Sequence, residues 1–178
     1  EVTGDFENNG TFSSSGTVNV QTEDWLNNGT VEISGSVNNN GGEMNNEGTM
    51  TVNGNINNNG EIENNGTLTV TGNLHVNGNA EMTNHCALYV NGNLHQNDEF
   101  DNYGYVEVGI NTTLNGSSET NLHEQSLIVT ENLTVNGDLS GPEQSCARVN
   151  IAATTNINGG AELSNYLDIC DADGVENN

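Results

Sequence analysis

The chain has 178 residues, with Asp+Glu 25 against a single basic residue, Arg148, a formal net charge of -24, 31% hydrophobic residues, 22 Gly and 1 Pro. One fixed cation cannot displace counterions along phosphates, which excludes nucleic acid as a partner and removes most enzymes that grip phosphate, coenzyme A or anionic sugars. No apolar run approaches the ~18 residues of a membrane span, so no membrane insertion is expected; no basic-then-apolar leader follows Glu1, so an exported chain has already lost its signal.

Low hydrophobicity with high net charge is also the composition of disordered chains, and only internal order in the sequence decides between the two. Residues 1–28 read as an irregular N-terminal coil. Phe6 and Phe12 keep a six-residue step and Val18 and Val20 form a strand pair, but the next pair begins at Val31, so one side is missing and Trp25-Leu26 is expected to plug the gap. Residues 29–108 are a regular stack. From Gly48 to Gly78 a glycine recurs every six residues, and two positions after each stands an apolar residue: Met50, Ile56, Ile62, Leu68, Leu74 and Ala80.

Apolar residues at i and i+2 share one face of a short strand, and glycine allows the bend that follows. The chain thus turns a corner about every six residues and closes a triangle in about 18 to 20, each coil stacking on the next at ~4.8 Å. The expected fold is all-β: a single triangular β-solenoid over 1–178, of about nine coils and roughly 40 to 45 Å long. Neighbouring coils then share one apolar interior, which lets so polar a sequence fold.

A second register supports the first. Asn8, Asn27, Asn46, Asn64, Asn84 and Asn102 each stand four residues before the first apolar residue of a coil, at spacings of 19, 19, 18, 20 and 18. Stacked amides donate to one neighbour and accept from the other, so a buried asparagine ladder satisfies itself along the axis. The total of 36 Asn also suits corners that need a left-handed backbone. Residues 109–170 are looser, with Ile110 and Glu131 replacing corner glycines and Pro142 in a loop. Residues 171–178 read as an acidic tail without the repeat.

The stretch Asn53-Gly-Asn-Ile-Asn-Asn-Asn-Gly-Glu-Ile-Glu-Asn-Asn-Gly-Thr-Leu-Thr-Val-Thr-Gly-Asn-Leu resembles the hexapeptide-repeat β-helices and the bactofilin-like polymerising solenoids. The chain is also similar to Asn/Gly/Thr-rich solenoid segments of large secreted bacterial surface proteins, through Cys146-Ala147-Arg148-Val149 and Asp168-Ile169-Cys170-Asp171 near its end. The likeness covers about residues 29 to 170. It implies a secreted or cell-surface solenoid; it leaves handedness open, since hexapeptide families wind left and bactofilins right.

Several residues carry candidate chemistry. Cys146 and Cys170 lie about one coil plus a loop apart and are expected to form a disulfide, which suits an oxidising, extracellular setting; Cys86 is left as a buried hydrophobe or an intermolecular bridge. His75 and His95 are 20 residues apart and should stack on one outer face, with His123 as a later member, either as a solvated column or as metal ligands. Asp171 and Asp173, followed by Gly174, resemble the start of an Asp-x-Asp-Gly calcium loop; without a closing bidentate Glu the alternative is a solvated tail. Calcium is the one cofactor in view, and none is required. Ranked Thr30, Thr49 and Thr67, with Thr51 and Thr69, raise ice binding, against which Glu32, Tyr89, Tyr105 and Glu107 break the plane. Sequons at Asn9, Asn28, Asn65, Asn111, Asn115 and Asn132 mostly coincide with repeat corners.

No enzyme is expected, because solenoid lyases and acyltransferases need cations that this chain lacks. The sequence points to an extracellular structural protein whose partners are copies of itself, stacked head to tail into a filament or surface fibre for adhesion or matrix formation, with surface glycans as further partners. The alternative is a carbohydrate- or ice-binding module on the same scaffold.

Overall fold

A strand of three or four residues, bent away at both ends, finds no partner within its own coil. Its backbone groups can be satisfied only by the coils before and after it. The computed structural model, which describes residues 4–21, 24–142, 147–163, 167–171 and 175–177 (the last two segments by backbone alone), shows this arrangement throughout. Every strand pair is parallel and joins one coil to the next. The described residues contain no helix, and so none long and apolar enough to cross a membrane.

Three faces result. The first is an eight-stranded sheet running from Phe6–Asn8 through Asp24–Asn27, Glu43–Asn46 and Glu61–Asn64 to Asp138–Ser140. The second face starts at Thr11–Ser14 and the third at Val18–Val20. These two are joined into one sheet because Tyr105–Leu114, Leu127–Val135 and Ala147–Ile157 run continuously round the corner between them. The sites of Ile110 and Glu131 explain the continuity: where the corner glycine is absent the chain keeps pairing and absorbs the bend as register shifts, between Val108 and Asn111 and between Thr130 and Asn132.

Alternation along each strand fixes the interior. Trp25, Met44, Ile62, Met82 and Phe100 stack inside the first face, Val31, Met50, Leu68, Leu88 and Val106 inside the second, and Val37, Ile56, Leu74 and Leu94 inside the third. The triangular solenoid of about nine coils is therefore present. Trp25 differs from the expectation. It does not plug a missing side but takes an ordinary inward position, with Phe6 on one side and Met44 on the other in register; its ring lies 4.1 Å from that of Phe6. The supposed gap arose because Asp24-Trp25-Leu26-Asn27 replaces the usual Glu-aliphatic-x-Asn strand with an aromatic version of it. The C-terminal stretch also differs: Val175–Asn177 pairs with Thr155–Ile157, so the six-residue step Leu163, Ile169, Val175 continues through what read as an unpatterned tail.

The asparagine ladder is buried and continuous. Asn8 Nδ2 donates to Asn27 Oδ1 at 2.8 Å, Asn27 to Asn46 at 2.8 Å, Asn46 to Asn64 at 2.7 Å, Asn64 to Asn84 at 2.8 Å and Asn84 to Asn102 at 2.9 Å. Each of these five donors also bonds a main-chain carbonyl of the following coil, as Asn46 does Thr67 at 3.1 Å. The ladder stops where Leu122 takes the position after Asn102. A shorter ladder, Asn39 to Asn58 at 2.8 Å, lies inside the third face and was not foreseen.

The corner glycines have a reason other than backbone handedness. Among the described residues only Gly4, Gly41 and Gly160 of the glycines, and Asn79 and Gln125 of the rest, have positive φ. A Cβ on Gly48 would instead overlap the carbonyl oxygen of Gly29, and one on Gly66 that of Gly48. Glycine is needed because coils approach there within hydrogen-bonding distance, Thr49 N–H reaching the Gly29 carbonyl at 2.9 Å.

Replacing one ladder amide strands its neighbours in an apolar interior. Asn64→Ala removes the acceptor of Asn46 Nδ2 and the donor of Asn84 Oδ1, and should cost about 2–4 kcal/mol in urea denaturation. Asn28→Ala, on the exposed neighbouring corner position, should change stability by less than about 0.5 kcal/mol.

Candidate functional site

Outward positions also stack in columns, and the first face is dominated by one of them. Asp24, Glu43, Glu61, Glu81, Glu99, Glu119 and Asp138 are consecutive partners in register. Carboxylates thus succeed one another at about 4.8 Å along the rod. Beside them runs a second outward column that includes Glu63 and Asp101. Burial, then Glu43, Glu81 and Glu63, pushes the Glu61 carboxyl above its ordinary 4.5. Burial, then Asp101, Glu81, Glu119 and Asp98, does the same to Glu99. Neutral donors take the place of cations: Asn45 Nδ2 donates to Glu43 at 2.7 Å, and Asn65 Nδ2 to Glu47 at 2.8 Å and to Glu63 at 3.1 Å.

The histidines divide between two columns. His75 and His95 stack on the third face, rings 4.8 Å apart and 8° from parallel, and burial together with His95 lowers the His75 pKa from its ordinary 6.5. His123 does not join them, because Thr113 takes the position after His95. It stacks instead on Tyr103 at 3.6 Å, with His85 at 4.7 Å on the far side of that ring, along a corner of the first face. His123 Nε2 lies 2.9 Å from Asp101 Oδ1, and His85 Nε2 lies 3.6 Å from Glu63 Oε1. Among the described residues no three His, Cys, Asp or Glu side chains converge to hold a metal ion.

Thr30, Thr49 and Thr67 are in register on the second face, as are Thr51 and Thr69, and both columns end in bulkier residues. Tyr105 follows Ala87 in the first column, while Tyr89 and then Glu107 follow Thr69 in the second. Tyr105 Oη donates to Glu107 at 2.8 Å; that bond, with burial and the charge of Glu107, raises its pKa to about 12. Cys86 is a free, exposed thiol rather than a buried hydrophobe. It occupies the corner position that Gly66 and Gly104 hold in adjacent coils, one residue before the paired Thr67, Ala87 and Tyr105. Cys146 and Asp173, and the side chains of Cys170 and Asp171, lie outside the described residues, and with them the expected disulfide and calcium loop. The surface depressions are open; one on the acidic face is bordered by Glu119, Asp138 and Glu162.

No protein-family model, no curated protein and no solved structure matches the chain.

Because the Glu61 and Glu99 pKa values are raised in the folded state, their contribution to stability is fully present below the ordinary 4.5 and is lost as pH rises through the raised values. The lowered His75 acts oppositely: its contribution is present above 6.5 and lost as pH falls through its lowered value. Glu61→Gln isolates the carboxylate share. It should raise the melting temperature near neutral pH by about 2–4 °C, with the gain shrinking toward pH ~4.5 and in concentrated salt. Calorimetry over a pH series at two ionic strengths measures both.

Proposed function

We propose that the protein is an extracellular structural rod that stacks head to tail into a filament, or forms part of a surface fibre used for adhesion or matrix formation. The observation that carries this reading is the mode of pairing: each described strand bonds in parallel to strands of neighbouring coils, in register along the stack. Strand edges of this kind recruit further strands. A translated contact between opposite ends need not close, so it propagates. The likeness to bactofilin-like and Asn/Gly/Thr-rich surface solenoids favours the same use, and a surface without Lys suits surroundings rich in protease.

The alternative, a carbohydrate- or ice-binding module, draws support from the Thr30, Thr49 and Thr67 column and the neighbouring Tyr89 and Tyr105, whose rings lie 5.8 Å apart. Glu32 and Glu107 on the same face argue against a flat plate for ice. Calcium, in this reading, acts by relieving repulsion among carboxylates rather than by supplying chemistry.

Negative-stain micrographs over a concentration series should show fibres with an axial repeat of about 40–45 Å per copy. Separate particles at every concentration, together with thermal hysteresis or glycan binding, would favour the alternative. Calcium should raise the melting temperature relative to chelator, and equal values would remove the ion from the account.

A further inference from the structure

We infer that the rod carries two sites of self-modification, Asn77-Gly78 and Asn115-Gly116, where the side-chain amide converts to a carboxylate in the folded protein while the stack shields comparable asparagine-glycine steps. Asparagine before glycine is the pair most open to this chemistry, because no side chain hinders the main-chain nitrogen that attacks. The glycine nitrogen, losing its proton, bonds to the asparagine side-chain carbonyl carbon and closes a five-membered succinimide, and the amide nitrogen leaves as ammonia. Water then opens the ring at either carbonyl, giving aspartate or its isomer, in which the main chain runs through the side-chain carbon. The step needs a glycine N–H free of other bonds and room for the ring to close.

Eleven asparagines precede glycine, and the coil geometry sorts them. At five the glycine N–H is already engaged. Gly10, Gly29 and Gly60 donate to the buried amides Asn8, Asn27 and Asn58 at 3.2, 3.1 and 3.2 Å. Gly66 and Gly92 donate to the carbonyls of Asn46 and Gly72 at 2.8 and 3.0 Å. A ladder asparagine thus protects its outward neighbour: Asn27 Oδ1 holds the nitrogen that Asn28 would need, and Asn58 Oδ1 the one that Asn59 would need. After Asn53 and Asn136 the glycine is pressed against the preceding coil, so that even a Cβ would overlap Gly35 and Ser36 in one case and the Asn115 carbonyl in the other. Asn40-Gly41 and Asn158-Gly159 border residues outside the described ones, and the inference does not extend to them.

Asn77 and Asn115 escape both forms of protection because their coils are longer at this corner. Val76 and Glu81 pair with Asn58 and Glu61, so residues 77–80 span what residues 59–60 span in the coil before. Leu114 and Glu119 pair with Gln96 and Glu99, so residues 115–118 likewise replace residues 97–98. The inward residue ahead of each is now Val76 or Leu114, which offers no acceptor where Asn58 offers one. The extra residues form a turn, closed by Ala80 N–H to the Asn77 carbonyl at 3.0 Å and by Ser118 N–H to the Asn115 carbonyl at 2.8 Å. The second residue of such a turn takes no part in the closing bond. Gly78 and Gly116 hold that position. Both are exposed, and among the described residues neither N–H has a hydrogen-bond partner. Nothing lies within 4 Å of the Cβ position of Gly78, and at Gly116 the Asn136 carbonyl oxygen is 3.6 Å away. Among the described residues each side-chain amide makes one bond, Asn77 Nδ2 to Asn59 Oδ1 at 3.0 Å and Asn115 Nδ2 to Asn97 Oδ1, which is all that the departing nitrogen gives up.

The test ages the full chain in mildly alkaline buffer, folded and in urea, and follows each asparagine by protease digestion after Glu and tandem mass spectrometry, with an isoaspartyl methyltransferase reporting the isomer. In the folded protein Asn77 and Asn115 should convert at least roughly tenfold faster than Asn28, Asn65 and Asn91, which react only through local opening, and in urea the difference should vanish. Gly78→Ala and Gly116→Ala, whose methyl groups have room, should melt as the unmodified protein does and lose most of the conversion at the preceding asparagine alone. Equal rates at the five steps in the folded protein, or conversion led by Asn28, Asn65 or Asn91, would overturn the inference. So would a folded chain in which Asn77 and Asn115 persist through the time that converts them in urea.

Discussion

The constraint on which this fold depends is that each side chain must tolerate its counterpart in the adjacent coil, about one strand spacing away. Aliphatic groups meet it by packing, and their columns form a continuous interior. Amides meet it by hydrogen bonding, since each carries both a donor and an acceptor. Aromatic and imidazole rings meet it by stacking, as His75 and His95 do. Carboxylates do not meet it. The acidic column from Asp24 to Asp138 is a repeated feature that works against the stack, and an amide such as Asn45, bonded to Glu43, softens it without neutralising it.

Much of this was legible in the sequence, because a solenoid writes its geometry into residue spacing. The inward aliphatic columns and the six-membered asparagine ladder follow from the six- and eighteen-residue periods, and the structure places those side chains as expected. What escaped is instructive. Trp25 disguised a regular strand, because an aromatic residue breaks the aliphatic pattern while filling the same inward position. His123 follows a leucine as His75 and His95 do, but Leu122 sits at the end of the asparagine column on a different face, a distinction that only the pairing register reveals. The glycines were recognised for the wrong reason: spacing locates them, whereas close approach between coils explains them. The acidic column was visible as scattered Glu residues, and its alignment required knowing that Glu43, Glu61, Glu81 and Glu99 share one edge of successive strands.

The change in the C-terminal third is also physical rather than decorative. Leu122 ends the ladder on the first face, and on the other two faces of these coils Thr112 bonds Thr130 at 3.1 Å and Thr130 bonds the Asn132 carbonyl at 2.9 Å, so buried hydroxyls pair there. The unequal sides and register shifts occur in the same coils.

The direction of the amide bonds has a consequence for the rod as a whole. Inside, each asparagine donates toward the C-terminal end: Asn27 to Asn46, Asn39 to Asn58, Asn64 to Asn84. Outside, the sense is reversed: Asn28 donates to Asn9, Asn57 to Asn38, Asn111 to Asn93 and Asn132 to Asn111. Amide dipoles aligned in one column would add along the axis and leave opposite partial charges at the two ends. Here buried and surface columns are polarised in opposite senses, so their amide dipoles oppose rather than reinforce one another along the axis as coils are added.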